Sequence, residues 1–361
     1  MDGPPRLWIP EQPESSPELS RALCMSPVDP CGAGFDALSR TLHDRLRALV
    51  GTSGAVTLVS GAVEDARAGL TAALGDGPLL HFVTGPDSER WAETSRGDGL
   101  ASRAVRLPFG QTLKPEAFGA VLERMPEAST LAFAQVEAAS AAMAPLRELA
   151  PVHMVGPDRM ILVDATYAAT TTELNMDRDR IDALVVGAVG FGLPPGLCLI
   201  AVSQRAIARL EQGASRVARE LALRCRGVEG WLGYEPPGQP LLFALAAQLR
   251  GIEQEGFTAR ETRHWQLAAR VRAFAKEQLE QVSEDGYSAY SLSCLRVPEG
   301  FDLDGMHAWL AQRGVALGRG RGAEAARTFR IRHSGDTTME EVEGLLDLLA
   351  EAVGRGAAGS A

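Results

Sequence analysis

With 361 residues and 45% hydrophobic content, the chain can bury a large core and implies two domains. A formal net charge of −10 repels phosphate backbones and anionic lipid, so nucleic acid and membrane surfaces are not expected partners. Five irregularly spaced cysteines without a CxxC pair argue against a zinc ribbon or disulfide framework and fit a reducing, cytoplasmic setting.

Residues 1–34 are proline-rich without a helical period and read as an extended arm. No signal peptide or transmembrane run is expected. Phe35–Val50 carries a helical apolar stripe. Short apolar runs then alternate with helical patterns. Strands are expected at Ala55–Val59, Leu79–Val83, Ala104–Leu107, Thr130–Gln135, Met160–Asp164, Ala183–Gly187 and Leu197–Val202. Helices are expected over Glu64–Leu74, Ser88–Arg96, Pro115–Arg124 and Met143–Leu149. This rhythm predicts an α/β fold with a mostly parallel central sheet and helices on both faces. A long helical region is expected from Pro240 to about Val282, then two short apolar segments, Ser291–Val297 and Ala326–Arg332, around a helix near Leu303–Arg313, and a last helix Thr338–Val353. The division is an arm at 1–34, a large domain at 35–245 and a small C-terminal α+β domain at 246–361.

Three segments stand in a telling order: Met160–Ala169, a strand ending in Asp164; Ile181–Gly187, a second strand; and Leu193–Leu197, which contains Pro-Pro-Gly. With Val59–Ala66, Glu137–Leu146 and Phe329–Gly335, they resemble the class V aminotransferases of the alanine–glyoxylate and serine–pyruvate branch over nearly the whole chain. The resemblance implies the fold-type I pyridoxal-phosphate (PLP) transferase architecture and a homodimer with active sites at the subunit interface.

The family uses an aspartate on the pyridine nitrogen, a lysine for the Schiff base, a phosphate cup at a helix N-terminus and an arginine for the substrate carboxylate. By this resemblance Asp164 is the ring-nitrogen partner, or an inherited strand-end acid. The lysine position falls at Gly190 counted from Gly187, or at Val189 counted back from Pro194, and neither can form an imine. Of the 36 basic residues only Lys114 and Lys276 are lysine; the first precedes a surface helix and the second lies in the long helix of the other domain. The phosphate cup has become Ala62, Val63 and Glu64; valine blocks close approach, and glutamate competes for the helix N-terminus. The partner-subunit hydroxyl segment becomes Tyr234–Pro240, with Gly238 at the hydroxyl position. The ring-stacking aromatic aligns with Asp87, near Trp91. Arg330 survives, as a carboxylate clamp or a bridge between domains. Glu137 and Thr166 are further cleft candidates, and the glycine-rich Gly318–Gly322 is a site lip. No histidine pair has zinc spacing, so no metal is expected. His264 reads as helix packing and Cys198 as a buried core thiol.

Three functions stay open. One is a homodimer without covalent PLP, binding a small carboxylate or amino acid or partnering an active enzyme. Another is an enzyme with changed, PLP-independent chemistry built on Asp164, Glu64, Glu137 and Arg330. The third is a residual enzyme holding PLP or pyridoxamine phosphate (PMP) weakly and non-covalently.

Overall fold

The computed structural model describes residues 6–12, 16–75, 77–155, 158–226 and 237–359. Seven strands form the large sheet in the spatial order Ala55–Gly61, Gly196–Val202, Ala183–Gly187, Met160–Asp164, Thr130–Ala134, Leu79–Val83, Ser102–Arg106. Gly196–Val202 runs antiparallel to both its neighbours, and the remaining pairs are parallel.

Alternation along the strands builds both faces. Ile161 and Val163 pack on one side with Phe82, Phe133, Leu184 and Val186. Leu162 packs on the other with Ala132, Val185 and Cys198, under helix Val63–Leu74. Strands covered on both faces become continuous apolar runs. On the first face Phe82, Phe118 and Phe133 meet edge-on, with ring centroids 5.1, 6.3 and 6.4 Å apart.

The second sheet has the order Arg6–Trp8, Val315–Arg319, Thr328–Arg332, Leu292–Arg296, Glu280–Gln281. Its core gathers Trp8, Leu267, Phe274, Phe329, Ile331 and Leu345. Phe329 and Ile331 point into that core, so the strand's alternation turns Arg330 to the opposite face.

Several elements differ from the sequence expectations. The arm is not extended throughout: Pro17–Leu23 is a helix, capped by Ser16, whose hydroxyl accepts the Leu19 N–H at 3.0 Å. Arg6–Trp8 is a strand paired in parallel with Val315–Leu317, itself an element the sequence pattern did not reveal. The helix expected at Met143 starts at Leu146, because Ala142–Met143 pairs with Val136–Glu137 in a small ribbon and Pro145 leads the helix. The long helix is two, Gln239–Glu255 and Phe257–Gln278, parted at Gly256 with φ +81°. Helices Gln204–Gln212 and Arg216–Cys225 were also unforeseen. Leu242, Leu245 and Leu249 of the first long helix pack in the core of the large sheet. Cys198 is buried, as expected. No helix among the described residues is long and apolar enough to cross a membrane.

Phe118→Ala is expected to cost about 3–5 kcal/mol, because it empties a fully buried aromatic position that the rings of Phe82, Phe133 and His153 touch. Denaturant unfolding checks this; a loss below about 1 kcal/mol contradicts the packing described.

Candidate functional site

A cleft of about 330 Å³ opens where parallel strands end, at Ala134 and Asp164. Such strand ends are the usual ligand position in open α/β sheets. Asp164 shares the parity of Leu162, so its side chain turns toward helix Val63–Leu74. That helix presents Arg67 from its second turn. The Arg67 guanidinium bonds the Asp164 carboxylate at 3.1 Å, and both side chains are nearly buried. The other carboxylate oxygen accepts the Thr166 N–H at 2.8 Å. Thr166 Oγ1 in turn accepts the Gly187 N–H at 3.0 Å, tying two strand ends together. Arg67 also lies 3.7 Å from Glu64 and stacks over Trp91, 5.8 Å from the ring centroid.

The turn after Gly187 separates the two positions that the resemblance left open. Val189 lines the cleft with Asp164. Gly190 has no room for a side chain: a Cβ there would stand 2.2 Å from the Thr166 carbonyl oxygen. Val63 and Glu64 also line the cleft, whereas Ala62 is the residue before the helix and supplies no side-chain cap.

At the other end lie Arg330 and Arg321. Arg330 donates from Nε to the Arg319 carbonyl at 2.8 Å and from Nη1 to the Ala138 carbonyl at 3.4 Å. Its charge meets the carboxylate of Glu11, from the arm. Arg330 is therefore a bridge as the molecule stands, joining the arm, the small sheet and the large domain. Arg321, in the glycine-rich lip, holds Asp87 with two bonds of 2.7 and 2.9 Å and lies 3.5 Å from Glu11. Asp87 is thus an arginine partner, while Trp91 is buried behind Arg67. Tyr167 closes the wall; burial, then the charges of Glu11 and Asp87, push its hydroxyl pKa up.

Glu137 lies beneath this wall, fully buried, at the N-terminus of helix Pro86–Gly97. It accepts the N–H groups of Asp87 and Ser88 at 3.3 and 3.2 Å and the Ser88 hydroxyl at 2.8 Å. Burial first, and then the charge of Asp87, push its carboxyl up to about 7 against those bonds. Gly85 is required there, since a Cβ would stand 2.6 Å from the Glu137 side chain.

Asp164, Thr166, Val189, Val63, Glu64, Asp87 and Arg330 thus meet in one cleft. Gly238 precedes helix Gln239–Glu255 and does not line it, and Tyr234 lies outside the described residues. Lys114 bonds Glu284 at 3.0 Å and Lys276 bonds Asp285 at 3.3 Å; neither lines the cleft. His264 is buried, with its ring nitrogens 2.8 and 3.1 Å from the Arg260 and Gly335 carbonyls, one of which accepts its N–H. Sequence reasoning missed Arg67, Arg321 as an ion-pair partner, and Glu11. An arginine inside the buried stripe Ala66, Leu70, Leu74 was the visible signal for the first; Glu11 left none.

The chain has the fold of the fold-type I PLP transferases. The chain is 26% identical to the L-aspartate–glyoxylate aminotransferase of Paracoccus denitrificans, over 92% of this chain and 87% of that one. It is 25% identical to the serine–glyoxylate aminotransferase of Methylorubrum extorquens, over 91% and 86%. The solved alanine–glyoxylate aminotransferase of a Nostoc species superposes with a TM-score of 0.89 at 23% identity, covering 98% of this chain and 96% of that one. No family model matches. The relatives of this chain include several aminotransferases and also proteins described as soluble hydrogenase subunits, and it shares the fold of the solved class V aminotransferases.

Glu137 yields a pH prediction. Its folded pKa lies above the ordinary carboxylate value, so its contribution is fully present below about pH 4.5 and is lost as pH rises through about 7. Glu137→Gln, which keeps an oxygen acceptor for the helix N–H groups, is expected to gain stability relative to wild type across that window, by roughly 1–3 kcal/mol at its upper end. Thermal melts between pH 5 and 8 measure it; parallel curves contradict the shift.

Proposed function

We propose that this class V aminotransferase-like chain no longer performs PLP-dependent transamination and that its cleft binds small carboxylates or amino acids instead. The observation that carries the reading is the Arg67–Asp164 pair. In the family that the chain resembles, the acid at this position serves the protonated pyridine nitrogen. A guanidinium and a pyridinium compete for one carboxylate, and here the guanidinium is built in, nearly buried and backed by Trp91.

The remaining groups do not fit the cofactor either. Val189 supplies no amine on the cleft wall, and Lys114 and Lys276 are engaged with acids elsewhere. At the first turn of helix Val63–Leu74, Glu64 and Asp65 put negative charge where a phosphate dianion would need N–H groups free of it. What persists is the cationic end, Arg330 with Arg321, suited to a carboxylate by its fork geometry. By its resemblance to a dimeric family the chain acts as a homodimer, which light scattering tests.

Titration of the purified protein with PLP, followed by borohydride, is expected to give no stoichiometric or reductively fixed adduct. A yellow, fixable complex in the wild type overturns the reading. Arg67→Met is expected to destabilise the fold by about 3–5 kcal/mol, because it leaves the Asp164 charge buried without its partner. Denaturant unfolding reads this out, and a neutral effect removes the role given to the pair.

A further inference from the structure

The carboxylate end of the cleft already contains a carboxylate, supplied by the chain itself. Strand Arg6–Trp8 lies in register with Val315–Leu317, and the Arg6 N–H bonds the Gly314 carbonyl at 2.7 Å. Pro10 then rests on Gly318, where a Cβ would stand only 2.7 Å from the proline ring. These contacts deliver the next residue, Glu11, onto Arg330 and Arg321. Among the described residues Glu11 is the one acidic partner of Arg330; its other bonds go to the neutral carbonyls of Arg319 and Ala138. Arg321, in contrast, is neutralised by Asp87 through two bonds. The Arg330 side chain is 4% exposed and that of Glu11 is 34% exposed, so the acid is the replaceable half of the pair.

We propose that Glu11 is a built-in competitor for the cleft: free small monocarboxylates bind Arg330 by displacing it. This rests on the carboxylate-binding reading given above. The far end of the cleft carries Asp164 and Glu64 with Arg67 between them, and Asp87 faces Arg321. A second anionic group would therefore meet carboxylates, whereas a neutral or ammonium-bearing far end fits. A competitor on the same chain acts at millimolar or higher effective concentration, so the wild type binds such ligands weakly.

The test is calorimetric titration of full-length protein with propionate and with L-alanine, each variant first verified as folded by its melting curve. Glu11→Gln keeps the shape of the arm and removes the charge; it is expected to bind at least one probe about tenfold or more tighter than wild type. Glu11→Ala is expected to gain at least as much. Arg330→Gln placed in the Glu11→Gln background is expected to abolish the gain. Tightening that survives loss of Arg330 overturns the proposal. If wild type and both Glu11 variants bind equally, and Arg330→Gln abolishes binding, the competitor role is overturned while the carboxylate cleft stands. If none of them binds either probe, the carboxylate reading falls, and the competitor role with it.

Discussion

A carboxylate at the end of a buried strand must find positive charge or N–H donors, and the arrangement of this cleft follows from how that demand is met at Asp164. Arg67 supplies the charge and Thr166 the N–H. Removing two charges from water is costly, and only good geometry with further hydrogen bonds returns the cost. Here the geometry comes from a helix packed directly over the strand ends, whose apolar stripe holds Arg67 in place. The pair locks helix to sheet, and an external cation would have to compete with Arg67 for the acid.

The same logic repeats along the cleft. Arg330 has Glu11, Arg321 has Asp87, and each acid on the wall has a basic or N–H partner. These pairs differ in how they are tied. Arg67 and Asp164 sit on regular elements of one layered core. Glu11 sits on the arm, held through a three-residue strand and a proline seated on a glycine. A contact made by a short edge strand opens more easily than one made in the core, since fewer buried contacts must break. The cleft therefore has a fixed end and a removable end.

Much of the architecture was legible because burial on both faces leaves a simple mark. Met160–Asp164 and Ala183–Gly187 were bounded correctly from their apolar runs, and Pro115–Arg124 from its stripe. The errors have physical causes. Met143 belongs to a ribbon whose partner strand is only two residues long, too short to produce a pattern. Gly256 breaks a helix whose apolar spacing continues on both sides. Val315–Arg319 gained its parallel neighbour from the arm, a pairing across some three hundred residues that no local window contains.

The resemblance of their segments to class V aminotransferases marked Asp164 and Arg330 as cleft residues and put Val189 or Gly190, neither of them an amine, between them, because motif order and residue type can be read along the chain. Only the fold distinguishes Val189, which lines the cleft, from Gly190, where the Thr166 carbonyl leaves no room for a side chain. The fold also decided the partners: Arg67 for Asp164, Glu11 for Arg330, Arg321 for Asp87. Charge pairing depends on distances of a few ångströms between residues far apart in the chain, and only the packed layers bring those residues together.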